Sequence, residues 1–429
     1  MMKSCSDLMR MIKSAEGMTR MVQLYGSREG EVARQMERYM LLLKRHEDLF
    51  GTEKMPLLVS APGRTELCGN HTDHNNGRVL AAAVNLDTVA AVSPRDDLQI
   101  TLHSEGFAPI RVDLNSLSPV KEEQGTPASI IRGIAARMQE MGCMVRGFDG
   151  TATSNVLSGS GLSSSAAFEV LICAIFDALY NGMKVDPIER AKIAQYAENV
   201  YFGKPCGLMD QMASSVGGLV AIDFKAEPKV TPLQYDFSAR GYSLIVVNTG
   251  GSHDDLTEEY GAIRSEMNKV AHCFGEETLR RVRPEQLWQE MPRVRREAGD
   301  RALLRALHYY NENDRVHALV NAVKADQIDE IKRILIESGR SSWMYLQNVY
   351  AKNSPEQPLC VALSMAEYML HDCGAYRVHG GGFAGTTLNF VPTKELNSFV
   401  KEMESVFGQH CCNVLDIRPE GPACIKLGK

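Results

Sequence analysis

The sequence predicts a mixed α+β protein built in two parts. Three observations carry this reading. The chain has 429 residues, too many for one ordinary domain. Its first half holds short apolar runs set between turn residues. Much of its second half is charged and carries apolar stripes at helical spacing.

The elements follow in order. Val32, Met36, Tyr39 and Leu43 repeat at roughly helical spacing and Gly51 supplies a C-cap, the pattern of an amphipathic helix packed on a main domain. Residues 57–60 form a short apolar run that ends at Pro62-Gly63. Residues 88–93 and 98–103 read as two strands across the polar turn Pro94-Arg95-Asp96-Asp97. Residues 163–180 form a long apolar helix closed by Asn181-Gly182, and 243–248 a buried strand. From 277 to 373 the chain is helical. Val316, Leu319, Val320 and Val323 fall at i, i+3, i+4 and i+7, with Asp314 as a candidate N-cap. Ile328, Ile331 and Leu335 repeat the stripe until Gly339 ends it, and the boundary between the two parts falls near 240.

Composition narrows the function. Hydrophobic residues make up 44% and charged residues 23%, an ordinary globular mixture. The formal charge is −6 and no basic block stands out, which argues against a nucleic-acid partner. The 11 cysteines lack CxxC pairs, so neither a disulfide framework nor a zinc knuckle is expected. No run approaches about 18 consecutive apolar residues, so no membrane span is expected. Lys3, Asp7, Arg10 and Lys13 interrupt the N-terminus, which lacks a secretory run, and the expected location is the cytoplasm.

Three segments carry chemistry. The first is Leu157-Ser158-Gly159-Ser160-Gly161-Leu162-Ser163-Ser164-Ser165-Ala166-Ala167, which leads straight into the apolar helix. Its glycines permit close backbone approach to a ligand. The amides at the helix start and the helix dipole favour an anion. The serines add hydroxyl donors and a candidate magnesium ligand. It is not a Walker A loop, since GxxxxGK[ST] is absent. The second segment runs from Ala61 to Gly77 and crowds Arg64, Glu66, Asn70, His71, Asp73 and His74 between glycines. Such side chains suit a polyhydroxylated ligand, because a carboxylate such as Asp73 accepts from two hydroxyls. The third, Gly203-Lys204-Pro205-Cys206-Gly207-Leu208-Met209-Asp210-Gln211, places an aspartate after a turn amid apolar residues, where a catalytic base could sit; taken alone, Asp210 reads as a helix N-cap and Glu198 as a solvated helix charge. His253 and Asp254-Asp255 could line a cleft, Trp288 and Trp343 read as packing residues, and Arg280-Arg281-Val282-Arg283 as a solvated helix face.

Together these segments resemble the GHMP small-molecule kinases, specifically the galactokinase branch. The run from Gly63 to Asp73 is similar to the galactokinase signature and the run from Gly159 to Ser165 to the superfamily's phosphate loop. Gly380-Gly381-Gly382-Phe383-Ala384-Gly385 is similar to its C-terminal glycine motif. The resemblance runs from about residue 57 to the C-terminus. It implies a two-domain fold, a ribosomal-protein-like α/β N-terminal domain over 53–240 and a ferredoxin-like α+β C-terminal domain over 241–429, with a helical extension over 1–52. It implies ATP and Mg2+ and a direct in-line transfer to a sugar C1 hydroxyl. Asp210 falls on the catalytic base and Arg64 on the arginine that stabilises the transition state. Ser165 and Glu198 match the magnesium-binding serine and glutamate. Gly159, Ser160, Gly161, Leu162, Ser163, Ser164 and Ser165 match the nucleotide loop. Glu66, Asn70, His71, Asp73 and Tyr260 fall among sugar-contacting positions. The implied partners are the sugar and ATP, with neither nucleic acid nor membrane, in a monomer or weak homodimer.

The chain departs from the pattern at several places. Glu66 stands for the usual Asn and Asn70 for the usual Glu, so that one charge and one amide change places. His74 stands for Tyr, His379 for Thr and Leu157 for Pro. These departures leave a kinase of N-acetylgalactosamine, arabinose or galacturonate as an alternative. A non-catalytic sensor of sugar and ATP is another.

Overall fold

A computed structural model describes residues 3–156, 161–250, 257–351, 355–383 and 385–425. Three helices open the chain: α1 (Cys5–Ile12), α2 (Ala15–Tyr25) and α3 (Glu31–Phe50). Ser4 and Ser14 cap the first two, their hydroxyls accepting from the amides of Asp7 and Gly17. Strands β1 (Leu57–Cys68), β2 (Arg78–Pro94), β3 (Gln99–Ser104) and β4 (Ile110–Asp113) follow. Then come α4 (Pro127–Glu140), β5 (Phe148–Ser154), α5 (Ser164–Phe176), α6 (Pro187–Tyr196), α7 (Met209–Val216), β6 (Leu219–Asp223) and β7 (Lys229–Leu233). The second part holds β8 (Tyr242–Asn248), α8 (Thr257–His272), α9 (Pro284–Gln289), α10 (Met291–Ala298), α11 (Asp300–Lys324), α12 (Ile328–Ser341) and α13 (Pro358–Leu370). It ends with β9 (Ala375–Val378), β10 (Thr386–Pro392), α14 (Leu396–Phe407), β11 (Cys412–Leu415) and β12 (Ala423–Cys424).

The first sheet runs β12–β1–β2–β5–β3–β4, and β6 with β7 joins along the first half of β2. Side chains alternate across it. Val59, Ala61, Ala90 and Val92 pack with α4, α5 and α6. Leu58, Val89 and Ala91 pack with α1, α2 and α3. The N-terminal helices therefore cover a sheet face that would otherwise lie bare. Tyr39, Leu42 and Leu43 form their buried stripe. At the same face Asp87, fully buried, accepts from Tyr25, Ser60, Arg38 and Arg418. This ties α2, α3 and the returning C-terminal segment to β2.

The second sheet, β11–β8–β10–β9, is antiparallel throughout. Leu244, Val246, Leu388 and Phe390 on one face share a core with α11, α12 and the first sheet. Ile245, Val247 and Val391 on the other face meet α13 and α14. Among the described residues one helical stretch, Ser164–Asn181, is long and apolar enough to cross a membrane. Its residues 166 to 176 are almost all buried in the core.

Several sequence expectations need correction. Strands β2 and β3 do not pair across the 94–97 turn, because β5 inserts between them, antiparallel to β2 and parallel to β3. Strand β1 does not stop at Pro62-Gly63 but runs on to Cys68, its register shifting between Pro62 and Arg64. Asp314 caps nothing; it lies inside α11, which starts at Asp300 because Ala302, Leu303 and Ala306 are also buried. Gly339 lies within α12, and buried Ser341 and Ser342 carry the helix onward. Arg280 is no solvated helix charge: it grips Asp223 through two 2.8 Å bonds. Trp288 is exposed rather than packed. His253, Asp254 and Asp255 lie outside the described residues.

Candidate active site

Strand β1 carries Arg64 and Glu66 into the interior, and the tight turn after Gly69 presents Asn70, His71 and Asp73. Helix α11 fixes this turn from behind. Glu312 accepts from the Gly69 amide at 3.0 Å, and His308 Nε2 donates to the Asn70 carbonyl at 2.9 Å. The Tyr309 hydroxyl donates to the Asn75 carbonyl at 3.0 Å, and Asn313 accepts from the Arg78 amide at 2.7 Å. These four residues sit at i, i+1, i+4 and i+5, one face of the helix.

Arg64 and Asp210 form a bidentate pair. Arg64 Nε donates to Oδ1 at 2.8 Å and Nη2 to Oδ2 at 2.9 Å. Arg64 Nη1 donates to the Gly161 carbonyl, and the Ser163 hydroxyl to Asp210. Burial alone would raise the Asp210 carboxyl, but the Arg64 charge, its hydrogen bonds and Ser163 hold it below the ordinary value. A third of the Asp210 side chain remains exposed, against 7% for Arg64. Asp210 is thus ionised and accessible. It lies in the first turn of α7, whose N-cap is Leu208.

Asp73 faces this pair across the cavity. Burial, and then the charge of Asp210, push it up to about 6. Gly207 makes the approach possible, since a Cβ there would stand 2.0 Å from Asp73 Oδ2. His71 Nε2 donates to the Gly381 carbonyl at 2.9 Å, leaving Nδ1 toward His74 Nε2 at 3.4 Å. Burial holds both imidazoles below their usual pKa and therefore neutral.

The exchanged pair stays together. Asn70 Nδ2 lies 3.3 Å from each Glu66 oxygen and donates to the Gly380 carbonyl at 2.7 Å. Its Oδ1 accepts from Asn348 at 2.8 Å. Glu66 accepts from Arg377 at 2.9 Å, both side chains almost fully buried. The carboxylate is therefore neutralised from behind.

Helix α5 begins at Ser164, after Ser163 in the left-handed region. Gly161 (φ 69°) passes so close to the C-terminal glycine motif that a Cβ would meet Thr386 Oγ1 at 2.6 Å and His379 Nδ1 at 2.8 Å. Leu162 is buried, and its carbonyl accepts from the Arg64 amide at 3.0 Å. Gly159 and Ser160 lie outside the described residues. One turn into α5, Glu169 faces Glu198, each accepting from Gln211 Nε2 at 2.9 Å. Both are buried, so Glu198 is not the solvated charge that its helix suggests. Burial and the neighbouring Glu198 carboxylate push Glu169 up to about 8. Among the described residues no three His, Cys, Asp or Glu converge as a metal cage.

Two cavities meet here. One, of about 210 Å3, is lined by Arg64, Glu66, Asn70, His71, Asp73 and Asp210, among others. The other, of about 760 Å3, is apolar, with Phe107, Ile110, Ile130, Phe168 and Phe202 in its wall. Tyr260 stands behind the glycine motif, its hydroxyl donating to the Gly382 carbonyl at 2.9 Å. Sequence reasoning missed Glu169, Gln211, Arg377 and the α11 face. Each is defined by a partner distant in sequence, so no local signal marks it.

The chain has relatives among known proteins. Two family models match: the galactokinase galactose-binding signature over residues 44–94, and the N-terminal domain of GHMP kinases over residues 129–218. A galactokinase from Streptomyces coelicolor is 33% identical over 369 residues, 85% of this chain and 92% of that protein. A galactokinase from Bacillus subtilis is 28% identical over 369 residues, 83% and 90% of the two chains. The crystal structure of Lactococcus lactis galactokinase complexed with galactose matches with a TM-score of 0.77 at 22% identity, covering 89% of this chain and 98% of that one. Methanococcus jannaschii mevalonate kinase shares the fold at a TM-score of 0.61 and 11% identity, covering 84% and 98%.

Proposed function

The chain belongs to the galactokinase family of the GHMP kinases, and on that footing we propose that it transfers the γ-phosphoryl group of ATP to the C1 hydroxyl of galactose. The observation that carries the reading is the Arg64–Asp210 pair, set where the signature cavity meets the start of α5. Asp210, ionised, accepts the C1 hydroxyl's hydrogen bond and orients its oxygen. As the new O–P bond forms and the β–γ bridging bond breaks, Asp210 takes the proton and ADP leaves. A carboxylate held low is a weak base, which suits a transfer whose barrier falls mainly by positioning and electrostatics. Arg64 fixes Asp210 and places positive charge beside the reacting oxygens.

Asp73, His71, Asn70 and Glu66 take the other sugar hydroxyls, and Tyr260 supports the glycine motif that closes the cavity. An acidic sugar such as galacturonate would want a cation here. Arg64 is bound to Asp210, Arg377 to Glu66, and Lys204 stands beside Glu198, which favours a neutral sugar.

The apolar cavity receives the nucleobase. Gly159, Ser160, Gly161, Leu162, Ser163, Ser164 and Ser165 form the phosphate loop, aided by the α5 N-terminus. Ser165 and Glu198 would hold Mg2+. The donors fit: the buried carboxyl groups of Glu198 and Glu169 share one amide, and buried Gln211 Oε1 has no partner among the described atoms. Bound there, the ion supplies neutralisation of phosphate charge. The enzyme acts on small molecules in the cytoplasm, as a monomer or weak homodimer, in three parts (1–52, 53–240 and 241–429).

A coupled ADP assay over galactose, N-acetylgalactosamine, arabinose and galacturonate tests the reading, with 31P NMR of the product. Galactose 1-phosphate is expected. Turnover on another sugar alone moves the substrate. ATP binding without turnover on any sugar makes the chain a sensor.

A further inference from the structure

We propose that Lys204 is a further catalytic residue: a cation that binds the terminal phosphates of the nucleotide where the two cavities join. The proposal rests on the kinase reading above. The two cavities share three lining residues, Ser165, Glu198 and Lys204. A phosphoryl group passing from a nucleotide in one cavity to a sugar in the other crosses that junction.

The charge at the junction is strongly negative before any ligand arrives. Asp210 and Glu198 contribute carboxylates, with Asp73 nearby, and ATP adds its phosphates. Phosphoryl transfer needs positive groups around the transferring oxygens. Arg64 has three of its five N–H groups engaged, Nε and Nη2 on Asp210 and Nη1 on the Gly161 carbonyl. The glycine-serine loop from 157 to 167 contains no lysine to compensate.

Lys204 has the geometry for the task. Its amide donates to the Glu198 carbonyl at 3.1 Å, so its backbone is anchored beside the candidate metal ligand. Its Nζ lies 3.6 Å from Glu198 Oε1, beyond a good hydrogen bond, and its side chain is 65% exposed. The ammonium is held near the junction by charge rather than by packing. Its four-carbon stem lets it swing from Glu198 to a phosphate oxygen. Its charge also reaches Asp210 and helps to hold that carboxyl low.

The rival role is that Lys204 only balances Glu198. Lys204→Met and Lys204→Arg separate the two, and the exposure of the side chain leaves folding intact. Two readouts are needed: steady-state kinetics with galactose and ATP, and calorimetric binding of ATP and of adenosine without sugar. Lys204→Met should lower kcat/KM for ATP by about 100-fold and leave KM for galactose unchanged. It should weaken ATP binding and spare adenosine binding, and Lys204→Arg should restore most of both. Unchanged ATP binding in Lys204→Met, or equal loss of adenosine binding, would overturn the proposal. So would a shift in the Mg2+ requirement alone. A wild-type protein that phosphorylates no sugar overturns the kinase reading instead, and the two binding titrations still decide Lys204.

Discussion

At the scale of single residues, charge and hydrogen-bond geometry make firm predictions. Arg64→Lys keeps the charge but loses the two-pronged grip on Asp210, so kcat should fall by about 100-fold with little change in stability. Steady-state kinetics with a thermal melt checks this. Asp73 titrates near 6. Below that pH it is protonated and no longer accepts two sugar hydroxyls. The kcat/KM for galactose should therefore fall on the acid side with an apparent pKa of about 6, while KM for ATP stays level. An acid limb that appears only near pH 4 would remove Asp73 from sugar binding. Arg64, Asp210 and the signature residues were legible in the sequence because they lie in contiguous motifs. Glu169 was not: a lone glutamate in an apolar helix acquires meaning only when Glu198, on another helix, comes to face it. Nor was the fate of Glu66, since Arg377, 311 positions away, supplies its counter-charge.

At the scale of elements, α11 is the part whose role the sequence hid. Its apolar stripe at Val316, Leu319, Val320 and Val323 was readable, and the partners of its charged residues were not. In the structure Glu312 is fully buried, accepting from Gly69, Cys68, Ser338 and Arg315. Burial works against its charge, but His308, Arg377 and Arg315 bring the carboxyl down to about 2. Glu312→Ala leaves buried cations and the Gly69 amide without an acceptor, and should cost about 3–5 kcal/mol. The turn bearing Asn70 and His71 then loosens, so KM for galactose should rise while KM for ATP holds. A denaturant melt and a two-substrate kinetic analysis test both halves. Equal changes in the two KM values would make α11 a general scaffold rather than the support of one turn. Strand order was equally hidden, because no local feature announces that β5 inserts between β2 and β3.

At the scale of the molecule, residues 5 to 50 are part of the core. They cover the face of β1 and β2 that α4, α5 and α6 leave bare, and Asp87 fastens them through Arg38 and Tyr25. Burial would raise the Asp87 carboxyl, yet Arg38, Arg418 and the Ser60 and Tyr25 hydroxyls hold it below the ordinary carboxylate range. A depressed carboxyl gives its full contribution above the unfolded value and loses it as pH falls through the folded one. Wild-type stability from this group should thus be intact at neutral pH and fade only in acid, below about pH 4. Asp87→Asn should cost about 3–5 kcal/mol at pH 7 and flatten that acid dependence, as read from urea melts across pH. The sequence made the amphipathic helix legible; that it completes a sheet sandwich depends on strand alternation seen only once β1 and β2 are paired. The whole assembly serves one arrangement, Asp210 gripped by Arg64 beneath the signature turn. The most direct test is a single-turnover measurement of galactose 1-phosphate formation by wild type and Asp210→Asn, with galactose and ATP binding measured on both. The account predicts that the variant binds both ligands and forms product about 1,000-fold more slowly. A variant that turns over at the wild-type rate would contradict it.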